Sequence, residues 1–316
     1  MKVLVLGATG FIGPPLVRAL TGLGHKVLAV SRHTEAPGLA LDRGDPDAVA
    51  GAASGADAVV DLLAMTLAST QPLLDRLAGN VGRYVLASSG DVYRQYGALH
   101  RLEPLDHPSE SLDEAAPLRT ALYPYRATPR RAADDPAAWM DDYDKIPIER
   151  ALAERPDLNG VAVRLPMVFG PKDRQRRFAW AIRPMLAKAA VIEVDAQWAA
   201  WRTGYGYVDD VAAGLALATT HPAASGAYNL GPAEAGDHAQ WAARFAALLG
   251  WTGELRPIPR ERVAAPVRAA LDSLDLAWPM VTDTRRIRAE LGYREAVAPE
   301  DALRRTVEDE IARSPS

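Results

Sequence analysis

The sequence predicts an α/β protein whose first half is a doubly wound parallel sheet and whose C-terminal part forms a smaller domain. Short apolar runs alternate with segments of helical periodicity throughout the first half. A glycine-rich turn directly follows the first apolar run, and 316 residues exceed the usual length of one domain. Strand-helix units of this length favour a parallel sheet that is covered by helices on both faces.

The strands and helices are predicted from apolar runs and from apolar residues at helical spacing. The predicted strands are Val3–Leu6, Val27–Val30, Val59–Leu63, Tyr84–Ala87 and Val161–Leu165. Helices are predicted around Leu16–Leu23, Leu73–Leu77, Glu149–Leu152, Arg177–Ala189, Val211–Thr219, Trp241–Leu248 and Glu300–Ala312. Between them, residues 94–138 are predicted to be irregular because they contain six prolines. Such long loops in compact domains are often lids, so we expect this insert to cover a bound substrate.

Composition excludes several kinds of function. Hydrophobic residues make up 48% of the chain and charged residues 24%, which is typical of globular proteins. The net charge of −4 predicts neither nucleic-acid nor membrane binding. The chain has no cysteine, which excludes disulfides and thiolate chemistry, and its histidines lack metal-ligand spacing. The N-terminus shows no signal-peptide pattern, so we expect a cytoplasmic protein. Because of the histidine spacing, we expect no metal site.

The turn GATGFIG places Gly7, Gly10 and Gly13 between the first strand and the first helix. Glycine there permits a tight turn, a close approach of the backbone to a pyrophosphate, and close packing of helix on strand. Free N–H groups at the helix start favour the phosphate charge. The motif therefore predicts a Rossmann-type dinucleotide-binding domain over residues 1–165, to which the chain returns around 205–230. Residues 166–316 are predicted to form the substrate domain.

The end of the second strand indicates which dinucleotide is bound. Sites for NAD usually have an acidic residue there, which binds the ribose 2′-hydroxyl. This chain instead has Ser31 and Arg32, which can donate hydrogen bonds to a 2′-phosphate. We therefore expect NADP, with NAD as the alternative.

Five motifs in order resemble the extended short-chain dehydrogenase/reductases, the NAD-dependent epimerase/dehydratase group. They are GATGFIG, SSGDVY at 88–93, RLPMVFGP at 164–171, YVDDVA at 207–212 and AYNLG at 227–231. The resemblance covers nearly the whole chain. It implies hydride transfer to or from a nicotinamide in a cleft between two domains, and a homodimer.

The resemblance also implies roles for individual residues. Ser89 matches the hydroxyl residue that orients the substrate oxygen. Asp91 matches an acidic catalytic position of the dehydratases, although Gly90 leaves their acidic pair incomplete. Further cofactor contacts are implied at Phe11, Ile12, Asp42 (with Asp45 near it), Leu63, Ala64 and Pro166, and further substrate contacts at Tyr93 and Arg174, with Arg176 as an alternative to Arg174.

The chain departs from the family at its catalytic pair, which is normally Tyr-x-x-x-Lys. Here Tyr143 and Lys145 are only two residues apart. On a helix such residues point to nearly opposite sides, whereas in an extended segment they point the same way. Pro147 disfavours helical angles at the residue before it and suits a helix start. We therefore predict an extended Tyr143–Lys145 segment that leads into a helix, with Tyr143 as acid/base and Lys145 as its partner and a ribose ligand.

Together these observations predict an NADP-dependent oxidoreductase or epimerase that acts at a carbinol or carbonyl carbon of a small polar molecule. The alternative is a regulatory or scaffold protein that has kept the dinucleotide site and lost catalysis. Two other groups are interpreted structurally: Asp209 and Asp210 as helix N-caps, and Trp198, Trp201, Tyr205 and Tyr207 as packing residues.

Overall fold

The main sheet is parallel and continuous. The computed structural model describes residues 1–32 and 38–313. Within these residues seven strands form one sheet in the order β10-β6-β5-β4-β1-β2-β3. Its strands are β1 (Lys2–Leu6), β2 (Lys26–Ser31), β3 (Leu39–Ala40), β4 (Ala58–Asp61), β5 (Arg83–Ser89), β6 (Val161–Leu165) and β10 (Gly226–Asn229). The α/β class and the Rossmann-type parallel sheet that the sequence predicts are confirmed.

Helices cover the sheet on both faces and continue into the C-terminal part. The first six are α1 (Gly13–Gly22), α2 (Pro46–Ala52), α3 (Leu67–Leu77), α4 (Arg94–Leu99), α5 (Lys145–Ala153) and α6 (Ala179–Leu186). The others are α7 (Ala196–Ala200), α8 (Val208–Thr220), α9 (His238–Leu249), α10 (Ala265–Asp272), α11 (Arg285–Leu291) and α12 (Pro299–Ala312). Two further strand pairs are parallel: β7 (Met167–Phe169) with β9 (Tyr205–Tyr207), and β8 (Val191–Asp195) with β11 (Glu254–Ile258).

The side chains of strand β1 pack into the hydrophobic cores on both faces of the sheet. Val3 and Val5 belong to the core beneath α1 and α8, whereas Leu4 and Leu6 belong to the core beneath α2, α3 and α5. All four side chains are at most 1% exposed. Alternate residues of a strand point to opposite faces, so a strand buried on both sides must be apolar at every position. This is the reason that the continuous apolar run predicts a central parallel strand.

The insert is more regular than the sequence suggests. The prediction of an irregular segment is wrong for residues 94–99, which form α4. The helix that was expected to start at Pro147 instead begins at Lys145. Pro147 is still in the first turn, where a helix needs no N–H donor, so the proline is tolerated there.

Two predictions for the C-terminal half have different outcomes. The N-cap interpretation of Asp209 and Asp210 is wrong, because both lie in the first turn of α8. Asp210 instead accepts hydrogen bonds from the backbone N–H groups of Ala296 and Val297, at 2.7 and 2.9 Å. The packing interpretation of the aromatic residues is confirmed, since Trp198 stacks on buried His238 with ring centres 3.8 Å apart.

Membrane insertion through a helix finds no support. Across residues 1–32 and 38–313, no helix combines the length and the apolar character that a bilayer crossing requires.

The third glycine of the turn is required by its close packing. A Cβ atom at Gly13 would lie 2.4 Å from the carbonyl carbon and oxygen of Ala8 and from the oxygen of Gly7. We predict that Gly13→Ala lowers the free energy of unfolding by about 1–3 kcal/mol, the usual cost of overpacking. Gly22→Ala in the same helix is the control, because a Cβ there has nothing within 4 Å. Equal stability of both variants in urea denaturation would contradict this packing.

Candidate active site

The segment before α5 is extended and brings Tyr143 and Lys145 to the same side. Tyr143 has φ −66° and ψ 125°, and Asp144 has φ −164° and ψ 132°. Both side chains reach the carboxyl end of β5, where the strand ends at Ser89. The Tyr143 hydroxyl and Ser89 both contact Asp91, and the Lys145 Nζ lies 5.6 Å from the centre of the Tyr143 ring. The predicted extended conformation is confirmed for Tyr143 and Asp144 and is wrong for Lys145, which begins the helix.

A buried ion pair holds this segment in place. Arg119 is fully buried, and its Nη2 atom lies 3.1 Å from Oδ1 of Asp144. The other oxygen of Asp144 accepts from the backbone N–H of Tyr123 at 2.7 Å. Asp144 also caps α5, because its Oδ1 accepts from the backbone N–H of Ile146 at 2.9 Å. One carboxylate thus fixes both the extended segment and the start of the helix.

Lys145 is clamped by backbone carbonyls. Its Nζ donates to the carbonyl oxygen of Ala64 at 2.6 Å and to that of Ala87 at 2.9 Å. The ammonium group therefore links the ends of β4 and β5, next to the tyrosine. Burial lowers the pKa of Lys145 to about 8, because the charged form is poorly solvated there.

Asp91 is the hydrogen-bond acceptor of the Tyr143 hydroxyl. The Tyr143 hydroxyl donates to Oδ2 of Asp91 at 2.9 Å, and the Tyr125 hydroxyl donates to the same oxygen at 3.2 Å. Burial raises the pKa of Asp91, against the attraction of Arg119 and Lys145. Burial and the nearby Asp91 raise the pKa of Tyr143 well above its ordinary value, so Tyr143 is a protonated donor. Asp91 was expected as a substrate residue, and in this structure it binds the tyrosine.

Two aromatic residues form a wall beside Tyr143: Tyr125 of the insert, and Trp139 directly after the insert. The ring centre of Tyr125 lies 5.2 Å from that of Tyr143, and the Trp139 ring lies 6.1 Å away in an edge-to-face arrangement. Trp139 is 49% exposed, which leaves much of its surface open to a further ligand. The sequence predicts a covering segment here, but only the folded loop shows which of its aromatic residues contact the tyrosine.

The glycine turn has the shape that a dinucleotide needs. Gly7 has φ +86°, and its N–H donates to the carbonyl of Val30 at 3.1 Å. A Cβ there would lie 2.9 Å from Leu63, so Leu63 borders the turn as expected, and Ala64 next to it is fully buried. Phe11 and Ile12 are half-buried just before α1. The backbone N–H groups at the start of this helix precede its first internal bond, from Leu16 to Ile12.

The other predicted cofactor residues lie at or shortly after the ends of strands β2, β3 and β6. Arg32 is exposed directly after β2, two residues beyond the carbonyl of Val30 that holds the turn, and Ser31 is the last residue of that strand. Asp42 forms a local turn by accepting from the N–H of Gly44 at 2.9 Å, and Asp45 caps α2. Pro166 lies between β6 and β7.

Sequence reasoning missed a buried cluster behind this region. Nε of Arg43 lies 2.9 and 2.8 Å from the two oxygens of Asp61, and the Tyr84 hydroxyl donates to the same carboxylate at 2.5 Å. Asp61 is fully buried and also accepts from the backbone N–H of Leu63 at 2.8 Å. The cluster therefore fixes the loop that borders the turn. The signal in the sequence was one aspartate in the middle of the otherwise apolar run Val59–Leu63.

Two predicted substrate contacts have a different setting. Tyr93 is fully buried; its hydroxyl donates to Oδ1 of Asn229 at 2.6 Å and accepts from Arg164 at 3.0 Å. The structure thus gives Tyr93 a bracing role in the core, in place of the predicted substrate contact. Arg174 is exposed, whereas its alternative Arg176 forms an ion pair with Glu310.

The Arg119 ion pair yields a stability prediction. Removing one partner of a buried pair leaves an uncompensated charge, so we expect Arg119→Met to lower the free energy of unfolding by about 3–5 kcal/mol. The matched control is Arg76→Met, whose pair with Asp47 is more than half exposed on both sides and should change stability by less than about 1 kcal/mol. Similar denaturation curves for the two variants would show that Asp144 does not need this partner.

Comparisons with known proteins agree on the family. The model of the NAD dependent epimerase/dehydratase family matches residues 3–231. A curated relative from Streptomyces sp, 3-diazoavenalumate denitrifying reductase, is 31% identical, with 93% of this chain and 96% of the relative covered.

Solved structures share the fold. The UDP-glucose 4-epimerase of Thermus thermophilus, in complex with NAD, has 21% identity and a TM-score of 0.66, with 99% of this chain and 100% of that chain covered. A putative epimerase from Burkholderia cenocepacia J2315 has 20% identity and a TM-score of 0.69, with 98% of each chain covered. By its motifs, its fold and these matches, the chain belongs to the NAD dependent epimerase/dehydratase family and is an NAD(P)-dependent enzyme.

Proposed function

We propose that this protein is an NADP-dependent reductase of small aromatic molecules, in which Tyr143 donates the proton. One observation carries the proposal. The extended segment brings the Tyr143 hydroxyl to the turn after β5 despite the altered spacing. There Asp91 accepts from Tyr143 and donates its backbone N–H to Ser89, and the Lys145 Nζ lies 5.6 Å from the centre of the tyrosine ring. Tyr143, Ser89 and Lys145 are the three groups that a proton transfer coupled to hydride transfer needs.

The residues divide the work by their chemistry. When bound, the nicotinamide cofactor supplies the hydride. Tyr143 releases its proton to the atom of the substrate that gains negative charge, and Ser89 orients that atom by a hydrogen bond. Lys145 stabilises the resulting phenolate through its positive charge, since its Nζ is fixed on the carbonyls of Ala64 and Ala87.

The cradle at the glycine turn fits a dinucleotide. The positive φ of Gly7 and the tight packing at Gly13 leave room for a pyrophosphate and no room for side chains. Arg32 is exposed at the end of β2 and suits a 2′-phosphate, which is the basis for proposing NADP rather than NAD.

The aromatic substrate class rests on the wall beside Tyr143. Trp139 and Tyr125 border the tyrosine, and half of the Trp139 surface is open for stacking. The curated relative carries the name of a reductase that acts on 3-diazoavenalumate, which agrees with reduction rather than epimerisation. For the diphosphate of a sugar nucleotide, the exposed Arg174 is the remaining candidate, because Arg176 is paired with Glu310. The scaffold alternative is not favoured, since the family and this relative are enzymes.

Two further assignments belong to the same proposal. A homodimer is supported by the family resemblance, in which helices next to the catalytic segment pair two subunits. A cytoplasmic location is supported by the complete lack of cysteine.

Substitution of Tyr143 tests its role as proton donor. We expect Tyr143→Phe to lower kcat for NADPH oxidation by about 10²–10⁴-fold, the usual contribution of a general acid, while NADPH affinity is unchanged. The substrate panel would contain cinnamaldehyde, whose reduction consumes one hydride and one proton. For the epimerase alternative it would contain UDP-glucose, whose conversion is followed by formation of its epimer because it causes no net NADPH oxidation. Tyr123→Phe is the control, because it changes a tyrosine of the same loop whose ring packs on Arg126. Full activity of Tyr143→Phe would contradict the assigned role, and turnover of UDP-glucose alone would favour the epimerase.

Substitution of Arg32 tests the proposed preference for NADP. Removing a charge-assisted hydrogen bond costs about 1.5–3 kcal/mol, so Arg32→Ala should weaken NADPH binding about 10- to 100-fold and leave NADH binding unchanged. Fluorescence titration of the purified protein with each cofactor measures both. Arg76→Ala, a surface change on α3, should alter neither affinity. If neither cofactor binds the unsubstituted protein, the interpretation of the glycine turn is wrong.

A further inference from the structure

One continuous hydrogen-bonded chain begins at Tyr143 and continues through Asp91, Tyr125 and Tyr96. Oδ2 of Asp91 accepts from the Tyr143 hydroxyl at 2.9 Å and from the Tyr125 hydroxyl at 3.2 Å. The Tyr125 hydroxyl in turn lies 2.7 Å from that of Tyr96. Asp91 comes from the turn after β5, Tyr96 from α4 and Tyr125 from the insert. The hydrogen bonds therefore connect these separate segments to the proposed proton donor.

The chain runs from the interior towards the surface. Tyr143 and Asp91 are 8% and 6% exposed, whereas Tyr125 and Tyr96 are only half-buried. Tyr96 also packs on the half-buried ring of His100, with ring centres 4.2 Å apart. A proton that enters at Tyr96 therefore has an unbroken path of hydroxyl and carboxyl groups to the interior.

The other polar neighbours of Tyr143 do not offer such a path in the described part of the chain. Lys145 donates to the carbonyl oxygens of Ala64 and Ala87. Backbone carbonyls accept hydrogen bonds but have no proton to pass on. Ser89 accepts from the backbone N–H of Asp91 at 3.2 Å, which returns to the same turn.

We propose that Asp91, Tyr125 and Tyr96 form a proton relay that returns a proton to Tyr143 after each reduction. The inference rests on the proposed function, in which Tyr143 gives its proton to the substrate. Asp91 touches the reacting hydroxyl directly, whereas Tyr125 and Tyr96 act through Asp91.

The proton transfers balance without another reactant. Reduction of a carbonyl substrate consumes one hydride and one proton, and the proton leaves the Tyr143 oxygen as the O–H bond of the product alcohol forms. The Tyr143 phenolate then receives a proton through Oδ2 of the Asp91 carboxylate, which contacts the hydroxyl groups of both Tyr143 and Tyr125. That carboxylate takes the proton of the Tyr125 hydroxyl, which takes the proton of Tyr96, and water reprotonates Tyr96.

The charges around Asp91 suit a group that carries a proton. Burial raises the pKa of its carboxyl group, and Asp144 acts in the same direction. Arg119 and Lys145 act against this, so they keep the carboxylate form accessible. Its Oδ1 atom is buried and has no hydrogen-bond partner in the described residues, so the path from Tyr125 to Tyr143 passes through Oδ2.

The test separates the first turnover from later ones. In Tyr125→Phe the relay is cut, but Tyr143 starts protonated, so rapid mixing with NADPH and cinnamaldehyde should give a first turnover at the unsubstituted rate. Steady-state turnover should fall about 10²-fold, the lower end of acid/base effects, and added imidazole buffer should restore part of it. Tyr96→Phe should behave in the same way, and Tyr123→Phe should change neither phase.

Three outcomes would overturn the relay. They are an unchanged steady state in Tyr125→Phe, an equal slowing of its first turnover, and a loss that buffer does not restore. The second would indicate a structural role for the hydroxyl.

A second measurement needs no substrate and keeps the relay separate from the proposed function. The ultraviolet absorbance of tyrosinate is titrated in Asp91→Asn and in the unsubstituted protein, each compared with its Tyr143→Phe counterpart. Removing the carboxylate should lower the pKa of Tyr143, because Asp91 raises it. An unchanged pKa would remove the first link of the relay, whatever the substrate. Absence of NADPH oxidation by the unsubstituted enzyme, with a lowered pKa in Asp91→Asn, would contradict the proposed function and leave this link established.

Discussion

The guanidinium group of Arg119 is completely enclosed, and it joins segments that are distant in the sequence. It pairs with Asp144 and also donates from Nε to the backbone carbonyl of Asp91 at 2.5 Å. A buried charge of this kind is stable only with its partners in place, so the insert, the turn after β5 and the start of α5 are held together. The positions of Tyr143 and Lys145 depend on that arrangement.

The altered catalytic spacing and the long insert are therefore parts of one feature. A tyrosine and a lysine two residues apart share a site only if the backbone between them is extended. Asp144 keeps it extended, and the partner of Asp144 comes from the insert. The same insert supplies Tyr125 to the wall beside Tyr143, and Trp139 follows directly after it. A helical Tyr-x-x-x-Lys motif would not need such support, since the helix itself aligns its residues.

The sequence was sufficient for the features that depend on local pattern. Apolar runs such as Val3–Leu6 and Tyr84–Ala87 lie within β1 and β5, because buried parallel strands are apolar at each position. The extended conformation at Tyr143 followed from the geometry that a shared site requires, whereas Pro147 was misleading because Ile146 before it is helical. The catalytic and cofactor roles of individual residues stay predictions.

Features that depend on distant contacts could not be predicted. The pair of Arg119 with Asp144 spans 25 residues, and the bond from Tyr93 to Asn229 spans 136. Asp210 looked like a helix cap because it precedes an apolar helical run, yet its partners come from residues 296 and 297. Helix α4 was missed because prolines elsewhere in the insert obscured one short turn of regular structure.

The central claim is that Tyr143 serves as the proton donor although its spacing from Lys145 is altered. The most direct measurement is a crystal structure of the enzyme with NADP and an unreactive aromatic carbonyl analogue. We predict the Tyr143 hydroxyl about 2.6–3.2 Å from the carbonyl oxygen, with that carbon facing the nicotinamide. A Tyr143 hydroxyl that is still bound to Asp91 alone, beyond hydrogen-bond reach of the analogue, would contradict the account.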